Sequence, residues 1–169
     1  MRNKKHTLLI FGLVTCLLLT LVGCAEKEIT KSKTNIILEQ IEYLNGKGYN
    51  ISKSKGIIDS YVLEKELLSK QLYSNIWGLQ DIEIQTYFGK PIDVYSYIVN
   101  NHKLDTLGDM DGTLVWLIVC ENKIVGGYSL PNNSETLYGG VYSIDGLTLE
   151  EVTGMDFPTW QKEWQKKYN

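Results

Sequence analysis

Cysteine is scarce in this chain of 169 residues, which holds Cys16, Cys24 and Cys120 and no others. Cys16 lies inside an apolar N-terminal run and Cys24 follows that run, so Cys120 is alone in the remainder and no intramolecular disulfide can form there. Stability has to come from packing. Cys120 itself closes "LVWLIVC", a run without Lys, Arg or His to lower a thiol pKa, which points to buried packing and away from a reactive thiol. Histidine is equally rare, with only His102 after residue 23. The chain lacks G-x-S-x-G, H-E-x-x-H and C-x-x-C motifs and any phosphate-cradling glycine loop, which removes the commonest serine, zinc, redox and nucleotide chemistries. Neither an internal repeat nor a low-complexity linker divides residues 35–169, which are read as one domain able to bury its own core.

Positive charge is short as well. The 20 Asp and Glu outnumber the 17 Lys and Arg, and Arg2, Lys4 and Lys5 fall in residues 1–23, which hold no acid; without that segment the formal charge is −6. Nucleic-acid binding depends on clustered cations, so no nucleic-acid partner is expected.

What is present begins with the N-terminus. Arg2, Lys4 and Lys5 precede an uncharged stretch from Leu8 to Val22, the layout of a secretory signal peptide. Its 15 residues fall short of the roughly 20 that a membrane-spanning helix needs. Leu21-Val22-Gly23-Cys24 then resembles the bacterial lipobox, in which a small residue precedes a cysteine that is acylated on its thiol and left as the mature N-terminus. A plain secretory signal with a chance cysteine, or a short buried helix, is the plainer alternative. The expectation is a signal peptide over residues 1–23 and fatty acyl chains, such as palmitate, on Cys24. Each buried methylene contributes about 0.8 kcal/mol, so one chain holds a protein marginally whereas a diacylglyceryl group anchors it durably. "AEKEITKSKT" (25–34) shows no apolar period and reads as a tether of at most about 35 Å, which would keep the domain at the outer face of the cell membrane.

Further along, Ile37, Ile41 and Leu44 have the spacing of an amphipathic helix that Gly46 and Gly48 would end. "GIIDSYVL" (56–63) reads as a strand, and Glu64 to Gln80 as a helix burying Leu68, Leu72, Ile76 and Leu79, broadened by Tyr73 and Trp77. "FGKP" (88–91) breaks the chain. "IDVYSYIV" is strand-like, and "TLVWLIVC" (113–120), apolar on both faces, suits a central strand that turns at Glu121-Asn122 into "KIVGGYSL". "YGGVYSI" (138–144) would add a strand. Gly126-Gly127 and Gly139-Gly140 would mark bulges or close backbone approach, facing each other or lining a groove. After a turn at Asp145-Gly146, Thr148 and Glu151 form a capping box for a short helix that Gly154 closes, and a last helix follows Pro158. The fold class expected is α+β, an antiparallel sheet of about four or five strands packed against helices on at least one face.

That last helix carries Phe157, Trp160, Trp164 and Tyr168 on one face and Lys162, Lys166 and Lys167 on the others. Trp160 and Trp164 are the candidate binding residues, for membrane headgroups or glycan, with packing against the sheet as the commoner role of such a stripe. His102, Asp105, Asp109 and Asp111 share the loop "HKLDTLGDMDG" (102–112), but it lacks the later carboxylates of a calcium loop, so a solvated turn is the better reading and no metal is expected. Two acidic pairs, Asp81 with Glu83 and Glu150 with Glu151, are indistinguishable from surface charge, and no catalytic residue or cofactor is assigned.

The series "NGKGYNI", "YFGKPIDVYSYIV", "LVWLIVCENKIVGGYSL" and "DGLTLEEVTGMDFPTW" resembles small lipoproteins of Gram-positive bacteria whose soluble part is classed as a domain of unknown function. The similarity covers most of residues 35–157. It implies a cell-surface setting and carries no catalytic residues. The function expected is a non-enzymatic interaction domain, anchored to the membrane through the lipid on Cys24, for an envelope protein or peptide partner. The alternatives are a carboxylate-dependent envelope hydrolase and an inhibitor or immunity lipoprotein.

Overall fold

The computed structural model describes residues 35–134 and 140–168. Two units make up the chain, residues 1–39 and 40–169. Of the first, residues 35–39 are described and are helical; the lipobox with Cys24 and the tether lie outside the described residues.

Helix α1 (residues 35–46) ends where Gly48 adopts φ +82, as its two glycines suggest. There follow β1 (Asn50–Val62), a 3-10 helix (Lys65–Ser69), α2 (Gln71–Gly78), a second 3-10 helix (Ile84–Tyr87), β2 (Pro91–Asn100), β3 (Thr113–Cys120), β4 (Lys123–Pro131), β5 (Tyr142–Ser143), α3 (Leu149–Thr153) and α4 (Phe157–Tyr168). The strands form one antiparallel sheet in the order β1-β2-β3-β4-β5. This is the α+β architecture expected, with five strands.

Both faces of β3 are covered. Ile118 and Cys120 join Ile92 and Val94 of β2 on one face, where Leu68, Ile76, Trp77, Ile84 and Tyr168 pack on them. On the other face Tyr95, Tyr97, Val99, Val115, Leu117 and Val119 are buried. There the Tyr97 hydroxyl donates to Gln40 Oε1 of α1 at 2.5 Å. The double-sided apolar run of residues 113–120 thus occupies the centre of the sheet, and Cys120 is buried, with burial pushing its thiol pKa up.

Four expectations shift. In α1 Leu44 is buried as expected, but Gln40 is buried where Ile41 was expected, its amide oxygen accepting from Tyr97, while Ile41 is half-buried and Ile37 is 43% exposed. The helix expected over Glu64–Gln80 is broken at Lys70, which is extended (φ −83, ψ 132), so Leu72 turns outward at 59% exposed while Leu68 and Ile76 stay inside. β1 begins at Asn50, six residues earlier than the strand pattern, and slips register at three places along β2. α4 starts at Phe157 and includes Pro158 in its first turn, where the missing N–H of proline costs nothing.

Glycines mark close approaches. Gln80 inserts its amide beside β4: Nε2 donates to Ile76 O (2.7 Å) and Gly127 O (3.1 Å), and Oε1 accepts from Gly127 N–H (2.9 Å). A side chain on Gly126 would overlap Gln80, and one on Gly127 would overlap the Trp116 carbonyl oxygen and Ile144. Gly126-Gly127 therefore faces a glutamine and the sheet itself; residues 138 and 139 of "YGGVYSI" lie outside the described residues, Gly140 and Val141 are not strand, and the strand expected there is reduced to the two-residue β5. In the β3–β4 hairpin Glu121 (φ 50) and Asn122 (φ 59) are both left-handed, the geometry of a type I′ turn.

Gln80→Glu keeps the shape but turns an amide donor toward two carbonyls into an acceptor; chemical denaturation should show a loss of about 1–3 kcal/mol. Replacing the turn by Glu121→Asn with Asn122→Gly should instead raise stability by about 0.5–1 kcal/mol in the same assay, since both positions have positive φ.

Candidate functional site

Helix α4 is held at its start by Asp156, whose carboxylate accepts the Thr159 N–H at 2.9 Å; that backbone hydrogen bond holds its pKa below the usual carboxylate range. The four aromatic rings then form a continuous ladder, with centroids 5.7 Å apart for Phe157–Trp160, 5.2 Å for Trp160–Trp164 and 4.5 Å for Trp164–Tyr168. The ladder faces the protein. Trp160 is only 6% exposed and packs with Leu79 and Leu149, while the Trp164 indole N–H donates to Leu68 O at 2.9 Å. Gly78, the last residue of α2, exists where a side chain would overlap the Trp160 ring.

Beside this ladder lies a cleft of about 500 Å³ that Trp160 and Trp164 both line. Trp77, Ile82 and Ile84 supply its other apolar wall, Met155 joins from the loop after α3, and Glu163, Lys166 and Lys167 add the charged groups. Lys167 Nζ stands 5.2 Å from the Tyr168 ring centroid. The ladder was legible as a stripe on one helix. Trp77, Ile82 and Met155 were not, because they reach the cleft from separate elements with no shared spacing.

The remaining candidates do not converge. His102 is buried and satisfied: its Nδ1 accepts the Leu104 N–H at 3.1 Å and its Nε2 lies 2.9 Å from Ile144 O, the arrangement of a neutral ring. Asp105 binds the Thr113 hydroxyl (2.7 Å) and the His102 N–H (2.9 Å), and Asp109 binds the Ser134 N–H (2.7 Å) and hydroxyl. The Ser134 hydroxyl, foremost, draws the Asp109 pKa down. These acids tie the 102–112 loop to its neighbours, and among the described residues no three His, Cys, Asp or Glu stand close enough to hold a metal ion. Asp81 and Glu83 are exposed. Glu151 completes the capping box, accepting the Thr148 N–H at 2.7 Å, which lowers its pKa, and lies 3.6 Å from Lys103. Glu150 lines a second, smaller cleft of about 330 Å³ with Asn75, Tyr142 and Phe157.

No family model, curated protein or solved structure matches this chain. Among the described residues, no helix is long and apolar enough to cross a membrane.

A methyl group at Gly78 has nowhere to go but into an indole. Gly78→Ala should cost about 1–3 kcal/mol by overpacking, and the loss should shrink when combined with Trp160→Leu; denaturant melts of the two variants and the pair test the contact.

Proposed function

We propose that this chain is a lipid-anchored envelope lipoprotein whose globular part is a non-enzymatic binding domain, with the cleft beside α4 as its binding site. The observation that carries the anchor is the succession of a cationic start, an uncharged run and Leu21-Val22-Gly23-Cys24. The anchoring group is the membrane partner, and the cleft faces a second partner in the envelope.

The cleft supports binding over hydrolysis through its composition. Its walls are indoles and aliphatic side chains, and among the described residues Glu163 is its sole side-chain carboxylate, so the paired acids that a carboxylate-dependent hydrolase requires are not gathered there by those residues. An inhibitor or immunity role is a particular form of the same binding reading, with a secreted enzyme as the partner.

Cys24→Ser should abolish acylation and move the protein from the membrane fraction to the soluble one, with the mature mass reduced by the diacylglyceryl and acyl groups. Intact-protein mass spectrometry and fractionation read both. Retention in the membrane fraction by the Ser variant would remove the anchor.

A further inference from the structure

We infer that the cleft beside α4 takes an acidic peptide segment, one apolar side chain entering beside Met155 and Trp164 while flanking carboxylates meet Lys166 and Lys167. The inference rests on the binding-domain reading and names the partner's chemistry. A volume of about 500 Å³ lies within the usual range of ligand pockets, about 300–1,000 Å³, and suits one or two side chains better than a large cofactor.

Burial decides against the other occupants. A sugar ring stacks on the open face of an aromatic, but Trp77 is fully buried and Trp160 nearly so, each already packed against protein, and the third indole of the cleft, Trp164, is half-buried and held through its N–H to Leu68 O. Bilayer insertion needs aromatic side chains that can leave the surface, and Trp164 is tied to Leu68 O. What the cleft does offer to an incoming group is Met155, 42% exposed, whose flexible thioether adapts to varied apolar partners.

Charge completes the match. Lys166 and Lys167 are exposed in the last turn of α4, where the helix dipole favours cations, and neither forms an ion pair within the described residues, whose salt bridges use Lys47, Lys90 and Lys103. Glu163, one turn earlier, leaves the lining with a net charge of +1. On a chain whose mature part carries −6, this is a local reversal of sign beside an apolar opening. Such an arrangement steers acidic partners toward the cleft and repels basic ones.

Selection from a random-peptide display library on the mature chain carrying Cys24→Ser tests this. The enriched peptides should place Asp or Glu around Leu, Phe or Met. Titration of a selected synthetic peptide should move the Trp160 and Trp164 indole N–H signals in the NMR spectrum. Affinity should fall at least about tenfold in Lys166→Glu/Lys167→Glu, and similarly on raising salt from about 0.05 to 0.5 M. Met155→Asp, at an exposed position off the helix, should also weaken binding while leaving the circular dichroism unchanged. Enriched peptides without acids, or full affinity in the double lysine variant, would overturn the inference. So would loss of binding to phosphatidylglycerol vesicles, in place of peptides, in that variant, since it would assign the lysines to the membrane. Acidic peptides that shift signals away from α4 would leave the binding-domain reading standing and remove the cleft from it. A chain that retains no peptide at all takes down both.

Discussion

A strand that is apolar on both faces cannot have either face wet, and β3 sets that condition for the whole sheet. Val115, Leu117 and Val119 on one side and Ile118 and Cys120 on the other are buried, so the chain must supply cover twice. Alpha-helical cover on one side comes from α1, where Leu44 and Gln40 sit. On the other side α2, the two 3-10 helices and the end of α4 combine around Trp77. At about 25 cal/mol per Å² of apolar surface, this burial is the dominant favourable contribution in a domain without disulfides, and the loss of either layer would expose half of the strand's side chains at once.

Covering the faces leaves the edges. An open antiparallel sheet has two, and each is handled by a different device. Along β1, register slips between Ile51 and Lys53, Ser54 and Gly56, and Ile57 and Asp59 interrupt the regular row of hydrogen-bonding groups, and Lys53 and Lys55 bring charge to the same stretch. Those bulges blunt an edge on which Ile57 and Ile58 are otherwise exposed. At the far side β5 pairs with Tyr128 and Ser129 alone, and the Gln80 amide serves as a substitute strand for Gly127 just beyond. The glycines at 126 and 127 follow from that insertion, because only a bare backbone lets the amide and the sheet come this close.

Signals that act within a few residues were legible in the sequence. The two-sided run of β3, the tight turn at Glu121-Asn122, the break at "FGKP" and the Thr148–Glu151 capping box all appear where local chemistry puts them. Features decided by distant partners were hidden. Gln40 is buried because Tyr97, 57 positions away, donates to it, and no helical period could rank a glutamine above Ile37. The spacing of Leu68, Leu72 and Ile76 continues smoothly through Lys70, yet the chain breaks there so that a 3-10 turn and a short helix can each place one residue, Leu68 and Ile76, in the same core. The Trp160–Trp164 stripe was visible, but its cleft needed four elements to meet.

That meeting explains how one helix both packs on the core and walls a cleft. A ladder of four rings is more apolar surface than a 12-residue helix needs for attachment to a single neighbour, and α4 spends it on several: Trp160 on Gly78 and Leu149, Trp164 on Leu68, Tyr168 on Phe88. Rings fixed from several directions cannot be the mobile part of a recognition surface. They make a rigid floor, and in the proposed binding role such a floor would lower the entropic cost of association. Under the proposed binding role, discrimination would fall to the exposed groups along the same opening, the thioether of Met155 and the ammonium groups of Lys166 and Lys167.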